Sequence, residues 1–188
     1  MNVQTKSKTA DNGVNVDALL GAREALTAAP QAANFTWRAE CKWLNGMHSR
    51  STMTGFFGLG EEHTHKTPYN IDADHPECFA AEDDGATPTE IVLAALASCL
   101  TGGVASVAQH RGIQLRAVTA RVEGDLNVYG VLGMDPEIRN GFNAIRVSFD
   151  IDSDASIEEV EAVVAQSQKL SPVFDIIANP GNVKVTVG

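Results

Sequence analysis

The chain carries three cysteines, Cys41, Cys78 and Cys99, and only Cys99 lies inside a long apolar run, IVLAALASCLTGGVASVA (91–108). A cysteine so placed is either a small inert hydrophobe or a reactive thiol. Spacing alone leaves both open, the inert case being the commoner. Cys41 alternates with Trp37 and Trp43, which reads as the core face of a strand. Cys78 falls in the acidic loop DADHPECFAAEDDGAT, exposed, where neighbouring carboxylates disfavour a thiolate. Glu90 precedes Cys99 by nine residues, about two and a half helical turns, so the two lie on opposite azimuths of an ideal helix. A helix cap alone explains Glu90. A functional Glu90 needs a cationic partner from elsewhere, for which Arg38, Arg50 and Arg111 are the candidates. His63 and His65 place two imidazoles on one strand face, yet no spaced third and fourth ligand accompanies them, so no metal site is expected. No glycine-rich phosphate loop follows a strand and no serine sits in a nucleophile elbow, so no cofactor is expected either.

These side chains must be held by elements that the periodicity outlines. Residues 1–15 are expected to be disordered or loosely attached. DALLGAREALTAA (17–29) has helical spacing and ends before Pro30. FTWRAECKWL (35–44) alternates with period two, a half-buried strand, and Asn45-Gly46 signals a hairpin whose return strand runs from His48 to Phe57. Glu61 to Ile71 reads as a third strand. Thr87, Pro88 and Glu90 then form a capping box with proline at the first helical position, opening a helix that runs to about Arg111 and stops at Gly112. Being apolar nearly all round, that helix is expected to be buried on most faces. Strands are expected over 114–129 and 142–151, the latter with Ile145, Val147, Phe149 and Ile151 on one face. A second helix, 156–170, opens on a Ser156/Glu159 capping box and shows Ile157, Val160, Val163, Val164 and Leu170 as its apolar face. Ser171-Pro172 starts a short helix, and Val183, Val185 and Val187 form a terminal strand.

The order is α+β: strands, one long helix, two strands, a helix, a strand. Residues 1–33 read as an N-terminal extension with a short helix and 34–188 as one domain. The net charge of −10 argues against nucleic acid and against an anionic membrane surface. The 18 uncharged residues from Ile91 to Ala108 reach the length of a membrane span. Their Ala, Ser, Gly and Thr content favours a buried helix instead. An odd, sparse set of cysteines is no disulfide framework, and the N-terminus lacks an apolar signal core, so a reducing cytoplasmic setting is expected. Gly102 and Gly103, with Ala95, Ser98 and Cys99, allow close helix approach. A homodimer packed along this helix is the expected use, because one sheet covers only one side of it.

The segment DDGATPTEIVLAALASCLTGGVASVAQHRGI resembles the OsmC/Ohr family of organic hydroperoxide-resistance proteins, through Pro88-Thr89-Glu90 and the Ala95-to-Cys99 run. EGDLNVYGVLG with GFNAIRVSFDI, and KLSPVFDIIANPGNVKV, extend the likeness to about 35–188. The resemblance implies an OsmC-like fold: antiparallel sheet wrapped around a long central helix, in an intertwined homodimer. It implies that Cys99 attacks the peroxide oxygen as a thiolate, with Glu90 and an arginine of the first hairpin tuning it; Arg50 is the hairpin arginine here. It also implies a resolving cysteine in a Cys-Pro at a helix start, where this chain has Ser171. Cys78 is the other thiol that could resolve.

Two functions follow as expectations. One is a one-cysteine, thiol-dependent peroxidase that reduces an organic hydroperoxide through Cys99 and is returned by a thiol reductant. The other is a non-catalytic, stress-associated dimer that binds a small apolar molecule.

Overall fold

Residues 10–188 are described by the computed structural model. They build two antiparallel sheets and five helices, distributed over two units, one of residues 17–92 and one of 93–188 with residues 10–16. The expectation of a loosely attached start does not hold from residue 10 on: Ala10 is buried and its carbonyl accepts from Gln109 Nε2 at 2.8 Å, and Asn12 Nδ2 donates to the Ile113 carbonyl at 2.8 Å; residues 1–9 lie outside the described residues.

In the first unit, α1 (Val16–Ala28) buries none of its side chains. The sheet consists of β1 (Thr36–Trp37), β2 (Glu40–Asn45), β3 (His48–Gly58) and β4 (Glu61–Ala73). The expected single strand over 35–44 is broken. Trp37 pairs with Phe56 but Glu40 with Thr52, so two residues on one side face three on the other. The β3–β4 register shifts at the same place, between Met53 and Gly55, where β4 passes through Pro68, which has no N–H for the ladder. Gly55 permits this bend, because a Cβ there would meet the His63 carbonyl oxygen at 2.2 Å. The β2–β3 hairpin turns at Gly46, in the left-handed region at φ 52°.

The face bearing Trp37, Cys41 and Trp43 is not the core. Trp37 is 67% and Trp43 73% exposed, and Cys41 is exposed with them. Among the described residues β2 is exposed at every position, so the alternation marks no covered face.

Helix α2 (Pro88–His110) starts at the expected capping box. Glu90 N–H donates to Thr87 Oγ1 at 3.2 Å, and Thr87 N–H donates to Glu90 Oε2 at 2.9 Å. It ends at Gly112, φ 72°. Its burial is a single stripe, Leu96, Leu100, Val104 and Ala108, one residue every turn. Burial on most faces is therefore not found among the described residues. Within its own unit, the layer made by the following elements meets one side of the helix.

That layer belongs to the second unit. Strands β5 (Leu115–Asp125) and β6 (Ala144–Ser153) form an antiparallel pair, followed by α4 (Ile157–Leu170) and α5 (Pro172–Ala178). Val104, Ala108, Ile113 and Val163 form its core, with Val118, Phe149, Ile151 and Val164 packed around them. The β5 strand is shorter than expected. Asn127 caps a one-turn helix, α3 (Val128–Val131), through its side chain to Tyr129 N–H. Leu170 and Ile157, expected on the apolar face of α4, are each 65% exposed. No strand forms at the terminus: Val183, Val185 and Val187 are 88–99% exposed. Alternation makes a strand only where a neighbouring edge accepts its hydrogen bonds, and among the described residues none pairs with that segment.

Candidate functional site

Cys99 sits on α2 between Leu96 and Leu100, half-buried beside the buried stripe. Seventy-two residues later in the chain, Ser171 closes α4 and caps α5. Proline at the next position fixes the start of α5, since its missing N–H is one the first turn would leave unpaired. The Phe174 N–H donates to Ser171 Oγ at 3.1 Å, and the Ser171 hydroxyl donates to Cys99 Sγ at 3.1 Å. Ser171 is 5% exposed. Its oxygen accepts from the backbone, so its one proton is free to serve the sulfur. The structure thus brings together the two positions that the sequence resemblance paired.

One turn away lies a second contact between the same helices. Ser167, 2% exposed, donates its hydroxyl to the Leu100 carbonyl at 2.7 Å. A Cβ on Gly103 would come within 2.2 Å of Ser167 Oγ. Gly103 therefore admits α4 of its own chain, while Gly102 faces open space. Ser167 escaped the sequence reading. Its signal is there, a serine one turn after Val163 on the apolar face of an amphipathic helix.

The other residues singled out from sequence are engaged locally. Glu90 is held by the Thr87 N–H and hydroxyl, which lower its carboxyl pKa from the ordinary value. Among the described residues it has no ion pair. Arg50 pairs with Asp72 on the neighbouring strand, Nε to Oδ1 at 2.9 Å, and Asp72 also receives His48 at 3.1 Å. Those hydrogen bonds, Arg50 first, hold the Asp72 carboxyl below its ordinary value. Cys78 lies exposed on a short 3₁₀ turn, Glu77–Phe79. Cys41 receives the Ser51 and Ser49 hydroxyls, which lower its thiol pKa. His63 and His65 share a face, as expected: His63 stacks on Phe56 at 5.0 Å, and His65 lies tilted against the same ring at 5.7 Å. His63 is hydrogen-bonded to the Gly58 carbonyl at 2.9 Å. No group of metal-ligating side chains occurs among the described residues.

A hollow of about 310 Å³ opens beside Ser171, lined by Ala165, Gln168, Lys169, Phe174 and Asp175 with Ser171 itself. A larger groove of about 740 Å³ runs between β6 and α4 but includes neither Cys99 nor Ser171, so it is apart from the thiol.

A family model described as OsmC-like protein matches residues 81–186, more than half of the chain. The matched range contains all of α2, whose length and hydropathy alone would suit a membrane span; its place is as a helix of that domain. No curated protein matches the chain. Among solved structures it is similar to an OsmC-like protein from Mycoplasma pneumoniae, at 15% identity and a TM-score of 0.58, over 77% of this chain and 89% of that one. It is similar to an organic hydroperoxide resistance protein OsmC from Legionella pneumophila, at 21% identity and a TM-score of 0.52, over 76% and 90%. A third likeness is to an organic hydroperoxide resistance protein from Elizabethkingia anophelis, at 14% identity and a TM-score of 0.50, over 77% and 91%. At these identities the likeness is one of fold.

Proposed function

The chain belongs to the OsmC-like protein family, and from that premise we propose that it is a thiol-dependent peroxidase acting on organic hydroperoxides through Cys99 alone. The observation that carries this reading is the Ser171 hydroxyl donated to Cys99 Sγ at 3.1 Å. An O–H aimed at sulfur is a good partner for a thiolate, and it stands where a resolving thiol would otherwise stand.

The steps balance without a second cysteine. The Cys99 thiolate attacks the terminal oxygen of ROOH, the O–O bond breaks, and RO⁻ leaves to be protonated as ROH. Cys99 becomes a sulfenic acid. A small thiol R′SH condenses with it, releasing water and forming a mixed disulfide. A second R′SH attacks that disulfide, returning the Cys99 thiol and releasing R′SSR′. Two electrons thus pass from two external thiols to the peroxide. Ser171 takes no part in disulfide chemistry. It orients the sulfur and leaves the sulfenic acid for an external thiol. Glu90, Arg50 and Cys78 remain candidates for tuning or resolving roles in the assembled protein, which we take to be a cytoplasmic homodimer. Support for the dimer comes from the single buried stripe on α2 and the bare faces at Trp37, Trp43 and Val183 to Val187.

The test is hydroperoxide consumption with small-thiol and dithiol reductants. Consumption that depends on both the thiol and Cys99 supports the reading, and none with any donor removes it. The second reading, a dimer that binds a small apolar molecule without turnover, draws on the same Ser171, which offers no thiol at the position hydrogen-bonded to Cys99.

A further inference from the structure

The helices α2 and α4 meet through two rungs. Ser171 faces Cys99, and Ser167 faces Leu100 and Gly103. Ser171 and Ser167 lie four residues apart, roughly one turn, and on α2 the facing Cys99 comes one residue before Leu100 and four before Gly103. The rungs run in opposite order along the two helices, so the helices are antiparallel where they touch.

The rungs differ in kind. A hydroxyl on sulfur is a soft contact that tolerates small displacement. The Ser167 rung is hard: a buried hydroxyl 2.7 Å from a carbonyl, with no room on the facing glycine for even one carbon. A buried Ser167 that lost this acceptor would leave its hydroxyl unsatisfied, which resists any sliding of α4 along α2. The hard rung therefore sets the spacing, and the soft rung inherits it.

We propose that Ser167 is a positioning residue for Cys99: by donating to the Leu100 carbonyl and packing against Gly103, it fixes the spacing at which the Ser171 hydroxyl reaches the Cys99 sulfur. This rests on the reading of Cys99 as the reacting thiol but not on peroxide turnover. Ser167 touches neither sulfur nor substrate and acts only through Ser171.

The experiment follows the alkylation rate of Cys99 by iodoacetamide at fixed pH, read by mass spectrometry at that cysteine in the whole protein. No hydroperoxide is present, so a failed peroxidase reading leaves this result untouched, and the reverse also holds. Ser171→Ala is expected to slow alkylation by about three- to tenfold, a lost hydrogen bond to a charged atom partly offset by higher intrinsic nucleophilicity. Ser167→Ala is expected to slow it in the same direction. The double variant is expected to be no slower than Ser171→Ala alone, because Ser167 has nothing left to position. Gly103→Ala, which displaces the same hydroxyl by adding a carbon, is expected to behave as Ser167→Ala and serves if that variant does not fold. A parental rate in folded Ser167→Ala or Gly103→Ala overturns the proposal. So does a double variant whose slowing is the product of the two singles, since that would make Ser167 act independently of Ser171.

Discussion

Ser171 Oγ lies 3.1 Å from Cys99 Sγ, and the same oxygen accepts the Phe174 N–H at 3.1 Å. The contact joins the long helix to the start of the last one. It gives the sulfur a donor whose own position is fixed by the backbone. A cysteine at 171 would inherit the cap, the proline after it and the closeness to Cys99.

Ser171→Cys is therefore expected to form an intramolecular disulfide with Cys99 on addition of one equivalent of organic hydroperoxide. A thiol at a helix start is favoured as thiolate by the backbone donors there. The parent should stop at a sulfenic acid or a mixed disulfide. A non-reducing peptide map of the folded variant that lacks the linkage would show that the pocket has diverged beyond this one residue.

The two adjacent glycines of α2 should respond in opposite ways. Gly103→Ala forces a carbon to within 2.2 Å of Ser167 Oγ and should cost about 1–3 kcal/mol. Gly102→Ala meets nothing within 4 Å and should gain about 0.5–1 kcal/mol from reduced backbone freedom in the unfolded chain. Thermal unfolding of both variants checks this; equal shifts would contradict the packing described.

Much of this arrangement was legible because it is local. Thr87, Pro88 and Glu90 specify the α2 start within four residues, and Ser156 with Glu159 does the same for α4. The Cys99–Ser171 contact spans 72 residues, and no spacing rule reaches that far; only the family resemblance paired them. Burial was the weak point. Alternation at Trp37, Cys41 and Trp43 and at Val183, Val185 and Val187 reads as core, but a pattern does not say what covers a face: β2 is exposed at every position, and the valine segment forms no strand and is bare among the described residues. The break between β1 and β2 was hidden for another reason. It arises from the bend at Gly55 on the partner strand, not from the residues that are interrupted.

Those bare faces lead to an expectation about assembly. The protein should run as a homodimer in light scattering at micromolar concentration. A stable monomer there would contradict the proposed use of the open sides of α2.

Loss of the α2 cap is a further test of local energetics. Thr87→Ala removes the oxygen that accepts the Glu90 N–H at 3.2 Å and should lower stability by about 1 kcal/mol. Denaturant unfolding measures it, and an unchanged midpoint would mean that Pro88 and the tertiary packing fix the helix start by themselves.

The Arg50–Asp72 pair makes stability depend on pH with a defined sign. Asp72 in the folded chain is held below its ordinary value of 3.8, chiefly by Arg50. The pair's contribution is then fully present above that value and fades as the pH falls through the lower folded-state value. Arg50→Gln should narrow the difference in melting temperature between pH 7 and the strongly acid end, relative to the parent. An identical acid profile in the two proteins would show that the exposed pair is screened to nothing.

The central claim is that Cys99 is the atom that meets peroxide. Its most direct measurement is residue-resolved mass mapping of all three cysteines after brief treatment with one equivalent of cumene hydroperoxide, with dimedone present to trap sulfenic acid. The account predicts dimedone on Cys99, little on Cys41 and Cys78, and an unchanged pattern when Cys41 is replaced by serine. A folded protein whose Cys99 remains an unmodified thiol under these conditions would contradict it.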